Sequence, residues 1–266
     1  MLASARNHPW KSSIIIFLIW LVITLNGPFL RTLISSPGSD IKPSDQIFFH
    51  IAAAASIILL IIGILGWWKE TGIRTTINRK NLLLLWPPVG FILTFYALAV
   101  WRGLPAGVNW FFVTVNLLLI GLSEEAMFRG ILFFGASTRF GVRGSIWLTA
   151  GLFGLAHAFN GLGTGSFSLL TLQSCAAFLS GVWLGAIRLR VGNLIPVILL
   201  HAFWDLSLFA LAGGFPQPMT KPGLPILLTS FGAILLIQLP LFAYGLFIMR
   251  TSIYTGSDQP TDATFS

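Results

Sequence analysis

Long apolar stretches recur along this chain, near residues 13–30, 47–68, 83–101, 108–138, 144–160, 167–188, 193–213 and 224–249. A helix that crosses the hydrocarbon of a bilayer needs about 20 apolar residues at 1.5 Å each, and these stretches meet or approach that length. In lipid every backbone N–H and C=O must be satisfied inside the segment, so runs of this kind read as helices. The fold class is therefore all-α, a polytopic transmembrane helix bundle of about eight spans. Composition agrees: 55% hydrophobic residues, 9% charged residues and a mean hydropathy of +0.85 suit lipid and not water.

The formal charge of +8 is distributed as short clusters between apolar stretches and not as one basic stripe, which argues against a nucleic-acid partner. Lys and Arg accumulate on the cytoplasmic side of membrane proteins, and here they alternate as eight spans require. Arg6, Lys11, Lys69, Arg74, Arg79, Lys80, Arg139, Arg143, Arg188, Arg190 and Arg250 fall on one side, against Arg31, Lys42, Arg102 and Lys221 on the other. Both termini are expected in the cytoplasm. The charged start and apolar run to Thr24 resemble a signal peptide, but Asn26-Gly27-Pro28-Phe29-Leu30 offers no small-residue cleavage site, so this run is read as a retained first helix. A multi-pass protein of a prokaryotic plasma membrane is the expected location.

Four regions are expected: N-terminal transmembrane helices over 1–107, a core over 108–213, a last transmembrane helix over 214–250 and a flexible polar tail over 251–266. Pro87-Pro88 should kink the third helix, Pro196 should sit in the first turn of the seventh, and Pro240 should bend the eighth. Gly181 and Gly185 have the small-xxx-small spacing that lets membrane helices approach closely. Gly161, Gly163 and Gly165 read as a loop, because no strand precedes them. Cys175, the single cysteine, excludes intramolecular disulfides and is expected to pack in the core.

An ionisable side chain in hydrocarbon costs on the order of 3 kcal/mol, so each one inside a span needs a partner or a function. The chain places Glu124, Glu125 and Arg129 in the fourth span, His157 in the fifth, and His201 with Asp205 in the seventh. Glu125 and Arg129 are four apart and can pair on one helix face, which leaves Glu124 pointing about 100° away. His201 and Asp205 are also four apart, so the aspartate is expected to orient the imidazole through one nitrogen and leave the other exposed. Counted from Arg139, Arg143 and Arg190, the groups Glu124, His157 and His201 lie roughly 22, 21 and 16 Å deep at 1.5 Å per residue, in one membrane layer. A free glutamate, two imidazoles and an aspartate at one depth are parts for activating water, and the same set suits a divalent metal such as zinc.

Glu124-Glu125-Ala126-Met127-Phe128-Arg129-Gly130 resembles the EExxxRG signature of the CPBP intramembrane proteases, a family that includes type II CAAX prenyl endopeptidases and bacteriocin-processing, Abi-like members. Phe153-Gly154-Leu155-Ala156-His157 is similar to that family's FxxxH motif, and His201-Ala202-Phe203-Trp204-Asp205 to its third motif, a histidine followed four residues on by Asn or Asp. The three occur in the family's order within roughly 118–207. The resemblance implies that Glu124 activates water together with His157. It implies that His201 and Asp205 hold the oxyanion or complete the site, and that Glu125 and Arg129 support it. Asp205 stands where many members have Asn; an ionised carboxylate donates no hydrogen bond, so orienting His201 is the assignment it takes.

Metal use stays open between a divalent ion held by Glu124, His157 and His201 and a metal-independent glutamate mechanism. The implied function is an intramembrane endopeptidase acting on a peptide or protein substrate, lipid-modified or not, in the lipid bilayer. Two alternatives use the same residues differently: a membrane transporter or proton relay built on buried carboxylates and histidines, and a non-catalytic bacteriocin-immunity or scaffold protein.

Overall fold

The computed structural model describes residues 2–27, 43–160, 167–214 and 223–251. A short α1 (Leu2–Asn7) leads into α2 (Pro9–Leu25), whose Pro9 occupies the first turn, where a missing N–H costs nothing. A short 3₁₀ turn (Pro43–Asp45) precedes α3 (Phe49–Leu65), and a longer one (Arg79–Leu85) runs into α4 (Trp86–Arg102). The next helix, α5 (Trp110–Glu125), passes through a π-helical segment (Ala126–Leu132) into α6 (Phe133–Asn160). Helices α7 (Phe167–Val191), α8 (Ile195–Ala212) and α9 (Leu224–Ala233) follow, and a second π segment (Ile234–Gln238) joins α9 to α10 (Leu239–Thr251).

The described residues form helices and turns without a strand, as the apolar pattern requires. Five helical units are long and apolar enough to cross a membrane: 79–102, 110–159, 171–191, 195–212 and 224–250; α2 and α3 are shorter apolar helices of 17 residues each. The unit over 110–159 contains two of the apolar stretches seen in the sequence. They are separated at Gly141, whose φ of +68° is a conformation that side chains with a Cβ rarely adopt.

Pro196 sits in the first turn of α8 as its position predicts. Pro87 and Pro88 do not kink a helix interior as expected. They open α4 directly after the 3₁₀ turn, the place where two prolines break no intrahelical bond. Pro240 falls in the first turn of α10, just beyond the second π segment, so the irregularity expected there is a change of hydrogen-bond register. Cys175 is exposed and not packed in the core. Lipid accepts an apolar side chain as readily as the bundle interior does, so an apolar neighbourhood in sequence does not decide between them. The loop at Gly161, Gly163 and Gly165 and the tail beyond Thr251 lie outside the described residues.

Because lipid tails are as apolar as leucine, burying apolar surface between helices drives little association; close van der Waals packing must do so. Helix α5 packs on α8 and α3, α4 packs on α8, and α7 packs on α6 and α10. Gly121 on α5 permits the first of these contacts, since a Cβ there would stand 2.9 Å from the Ile198 carbonyl oxygen and 3.2 Å from the Ala202 Cβ. Ala202 is the neighbour of His201, so this approach carries the histidine to the acidic helix. The start of α8 is fixed by the 66–78 loop: the Leu194 N–H donates to the Gly72 carbonyl at 2.9 Å and the Asn193 side-chain amide to the Thr75 carbonyl at 2.7 Å. The Arg188 guanidinium donates to the Thr71 carbonyl at 3.1 Å.

Gly181 performs the same service between α7 and α6, where a Cβ would lie 2.8 Å from both the Cα and the Cβ of Ala150. Since Ala150 Cα is backbone, the helices themselves must separate. Gly181→Val is expected to cost on the order of 1–3 kcal/mol through overpacking and to lower the melting midpoint of the detergent-solubilised protein. An unchanged midpoint would contradict this close approach.

Candidate active site

The acidic pair lies at the end of α5, where the π segment begins. π-Helical turns widen the helix by one residue per turn and are frequent at functional sites. Here the widening coincides with a completely buried run, Glu125 through Leu132, in which Arg129 has 0% of its surface exposed. Burying a guanidinium to this extent demands a counter-charge, and Arg129 Nη1 lies 2.8 Å from Glu125 Oε1. The pairing read from the four-residue spacing is present. The same guanidinium also rests 4.3 Å from the centroid of the Phe153 ring, a cation–π contact from α6.

Glu125 has a second partner that its own helix does not reveal. His201 Nδ1 donates to Glu125 Oε1 at 2.7 Å, so one carboxylate oxygen serves both Arg129 and the imidazole. Asp205 faces one nitrogen of His201 as its spacing suggests, but the expectation that the other nitrogen stays exposed is corrected. Nδ1 is held by Glu125, and Nε2 faces Asp205 Oδ2 at 3.5 Å and Glu124 Oε2 at 3.8 Å. The cause is the phase of α8: with Gly121 admitting Ala202, one turn of α8 lies flat against α5, and His201 reaches the acidic pair before it reaches along its own helix.

Glu124 points away from the Arg129 pair as its 100° offset requires, and its side chain keeps 19% of its surface exposed against 0% for Glu125. Its Oε2 is buried without a hydrogen-bond partner. Glu125 Oε2 is likewise buried without a hydrogen-bond partner, but only the Glu124 side chain is partly exposed, so of the two Glu124 is the carboxylate that a water or a substrate group can reach. Asp205, with 31% of its side chain exposed, lies on the same open side.

His157 and His201 both lie within charge-interaction range of Glu124. The Nδ1 of His157 stands 2.9 Å from the Phe153 carbonyl oxygen. A carbonyl only accepts, so Nδ1 carries the proton, and in the neutral ring Nε2 is left with its lone pair. Phe153 contacts both imidazoles: its ring meets His157 edge-on at 4.4 Å between centroids and His201 at 6.0 Å, and it packs on Phe128 at 4.9 Å. It is 2% exposed.

Among the described residues, no group of three His, Cys, Asp or Glu side chains is set to hold a metal ion. Both nitrogens of His201 are turned to carboxylates, so Glu124, His157 and His201 as arranged do not fit a metal. A cavity of about 290 Å³ lies elsewhere, between the ends of α4 and α8 around Arg102 and Gly213, and contains none of these residues.

Residues 105–207 match the model of the type II CAAX prenyl endopeptidase Rce1-like family, a span that takes in all three motifs. No curated protein and no solved structure matches the chain.

Proposed function

We propose that this multi-pass membrane protein, which carries a type II CAAX prenyl endopeptidase Rce1-like domain of the CPBP intramembrane proteases over residues 105–207, hydrolyses peptide bonds with a glutamate-activated water. The observation that carries the reading is the unpartnered Glu124 Oε2 facing His201 Nε2 at 3.8 Å, with His157 in charge range. Water held between the Glu124 carboxylate and the His157 Nε2 lone pair gives up a proton to Glu124 as its oxygen attacks the scissile carbonyl. His201, carrying both ring protons between the carboxylates at its two nitrogens, donates Nε2–H to the oxygen of the tetrahedral intermediate, and Glu125 fixes its ring through Nδ1–H. Asp205, on the open side of His201, lines the approach. Glu124 then returns the proton to the leaving amine.

The substrate is a peptide or protein that reaches the site in the bilayer, and the basic ends of the helices, with both termini, face the cytoplasm. The test is cleavage of a peptide library by the purified protein in detergent, beside His157→Ala and with a chelator. Cleavage by the wild type that falls at least tenfold in His157→Ala supports the proposal; undiminished cleavage removes His157 from it. Persistence in chelator fits the side-chain arrangement, while loss there points to a metal. Ion flux through proteoliposomes without any cleavage would favour the transporter reading.

A further inference from the structure

Helix α2 lies outside the matched domain, yet it makes polar contacts just before the π segment that follows the acidic pair and within its last turn. The Trp20 indole N–H donates to Ser123 Oγ at 2.8 Å, and Ser123, 1% exposed, directly precedes Glu124. The Trp20 ring meets Phe128 edge-on at 5.3 Å, and Phe17 stacks on it at 6.1 Å. At the other end of the π segment, the Ser13 hydroxyl donates to the Ile131 carbonyl at 2.9 Å. Gly135 makes room for this contact, because a Cβ there would overlap the Ser13 side chain.

A π turn is the place where a helix controls its own rotation least. The hydrogen-bond register changes at each end, and residues on either side can shift phase relative to one another. Glu124 sits at the entrance to such a turn, and its aim at His201 depends on that phase. One donor from α2 before the turn and another within its last residues hold it from outside at two points. The Ser123 hydroxyl does not need the indole to satisfy itself, since a serine inside a helix readily donates to a carbonyl of the preceding turn. What the indole bond adds is a fixed orientation.

We infer that Trp20 is a positioning residue for Glu124: through Ser123, and with Ser13 holding the far end of the π segment, it sets the rotation of α5 that aims the carboxylate at His201. The inference rests on the hydrolase reading of the site. Trp20→Phe removes the donor and trims the buried ring, and Ser123→Ala removes only the acceptor.

Each is expected to lower kcat about tenfold with KM unchanged, since displacement of a reacting group by about 1 Å costs up to a hundredfold. The melting midpoint should fall in both, through the buried indole N–H left unpaired in Ser123→Ala and the ring atoms lost in Trp20→Phe. The kcat values are therefore compared at a temperature where each variant is fully folded. The double variant should be no worse than the poorer single, because both remove one bond. In parallel, carbodiimide modification of Glu124, read by mass spectrometry as a ratio to Asp205 in the same molecule, should change in Trp20→Phe. That ratio requires no turnover, so a wild type that cleaves nothing overturns the hydrolase reading while the ratio still decides the role of Trp20. An unchanged ratio, or additive losses in the double variant, overturns the inference.

Discussion

Glu124→Gln is expected to abolish peptide cleavage, a loss of about 10²–10⁴-fold, while the protein inserts, purifies and melts as the wild type does. Glutamine has the shape of glutamate and retains a carbonyl acceptor, so the packing at the end of α5 is preserved. What it lacks is the basicity to take a proton from water. Stability should change little, because Glu124 Oε2 has no hydrogen bond to lose and the 3.8 Å charge contact with His201 that goes with it is offset by relief of repulsion from neighbouring carboxylates. Replacing it with a neutral group also removes a negative charge from beside Glu125 and Asp205, both within charge range. The decisive measurement is a pair: turnover on a cleaved peptide, and the melting midpoint in the same detergent. Lost turnover at an unchanged midpoint assigns the chemistry to this carboxylate. Turnover within a few-fold of wild type would sink the assignment, and a fallen midpoint would mean that Glu124 has a structural role that the geometry does not reveal.

The sequence carried the class of fold because lipid leaves the backbone few choices, and it carried the Glu125–Arg129 pair because four residues on one helix are neighbours whatever surrounds them. It placed Glu124, His157 and His201 at similar depth by counting rise per residue, and in the structure His201 Nε2 stands 3.8 Å from Glu124 Oε2. What it missed depends on rotation and not on depth. The bond from His201 to Glu125 links residues 76 apart in sequence, and the bond from Trp20 to Ser123 links residues 103 apart. Both are set by how helices turn against one another, which small residues such as Gly121 govern without announcing which partner they admit. The π segment was equally illegible, since nothing in Ala126–Leu132 distinguishes a widened turn from a regular one until the burial of Arg129 is known. Cys175 shows the complementary failure: in a membrane protein the outside is apolar too, so hydropathy does not sort inner from outer faces.

The largest stability effect is expected from Glu125→Gln. It strands a guanidinium whose Nη1 has lost its carboxylate and whose Nε and Nη2 already lack partners, in a place with no exposure. Removing one partner of a buried ion pair costs about 3–5 kcal/mol, mostly as the penalty of the charge left behind. Such a loss should appear as failure to accumulate in the membrane or a sharply lowered melting midpoint. Arg129→Gln should be milder, because the Glu125 carboxylate it leaves is still bonded to His201 Nδ1 at 2.7 Å. Replacing both members by apolar residues of similar volume, Glu125→Leu with Arg129→Met, removes the stranded charge and should restore most of the folding. It should restore none of the cleavage, since His201 then has no carboxylate to hold its Nδ1 and no fixed aim for Nε2. Folding and activity are thereby separated in one variant. If the double variant regained both, the carboxylate behind His201 would be dispensable, and the pair would be a clasp for the π segment and nothing more.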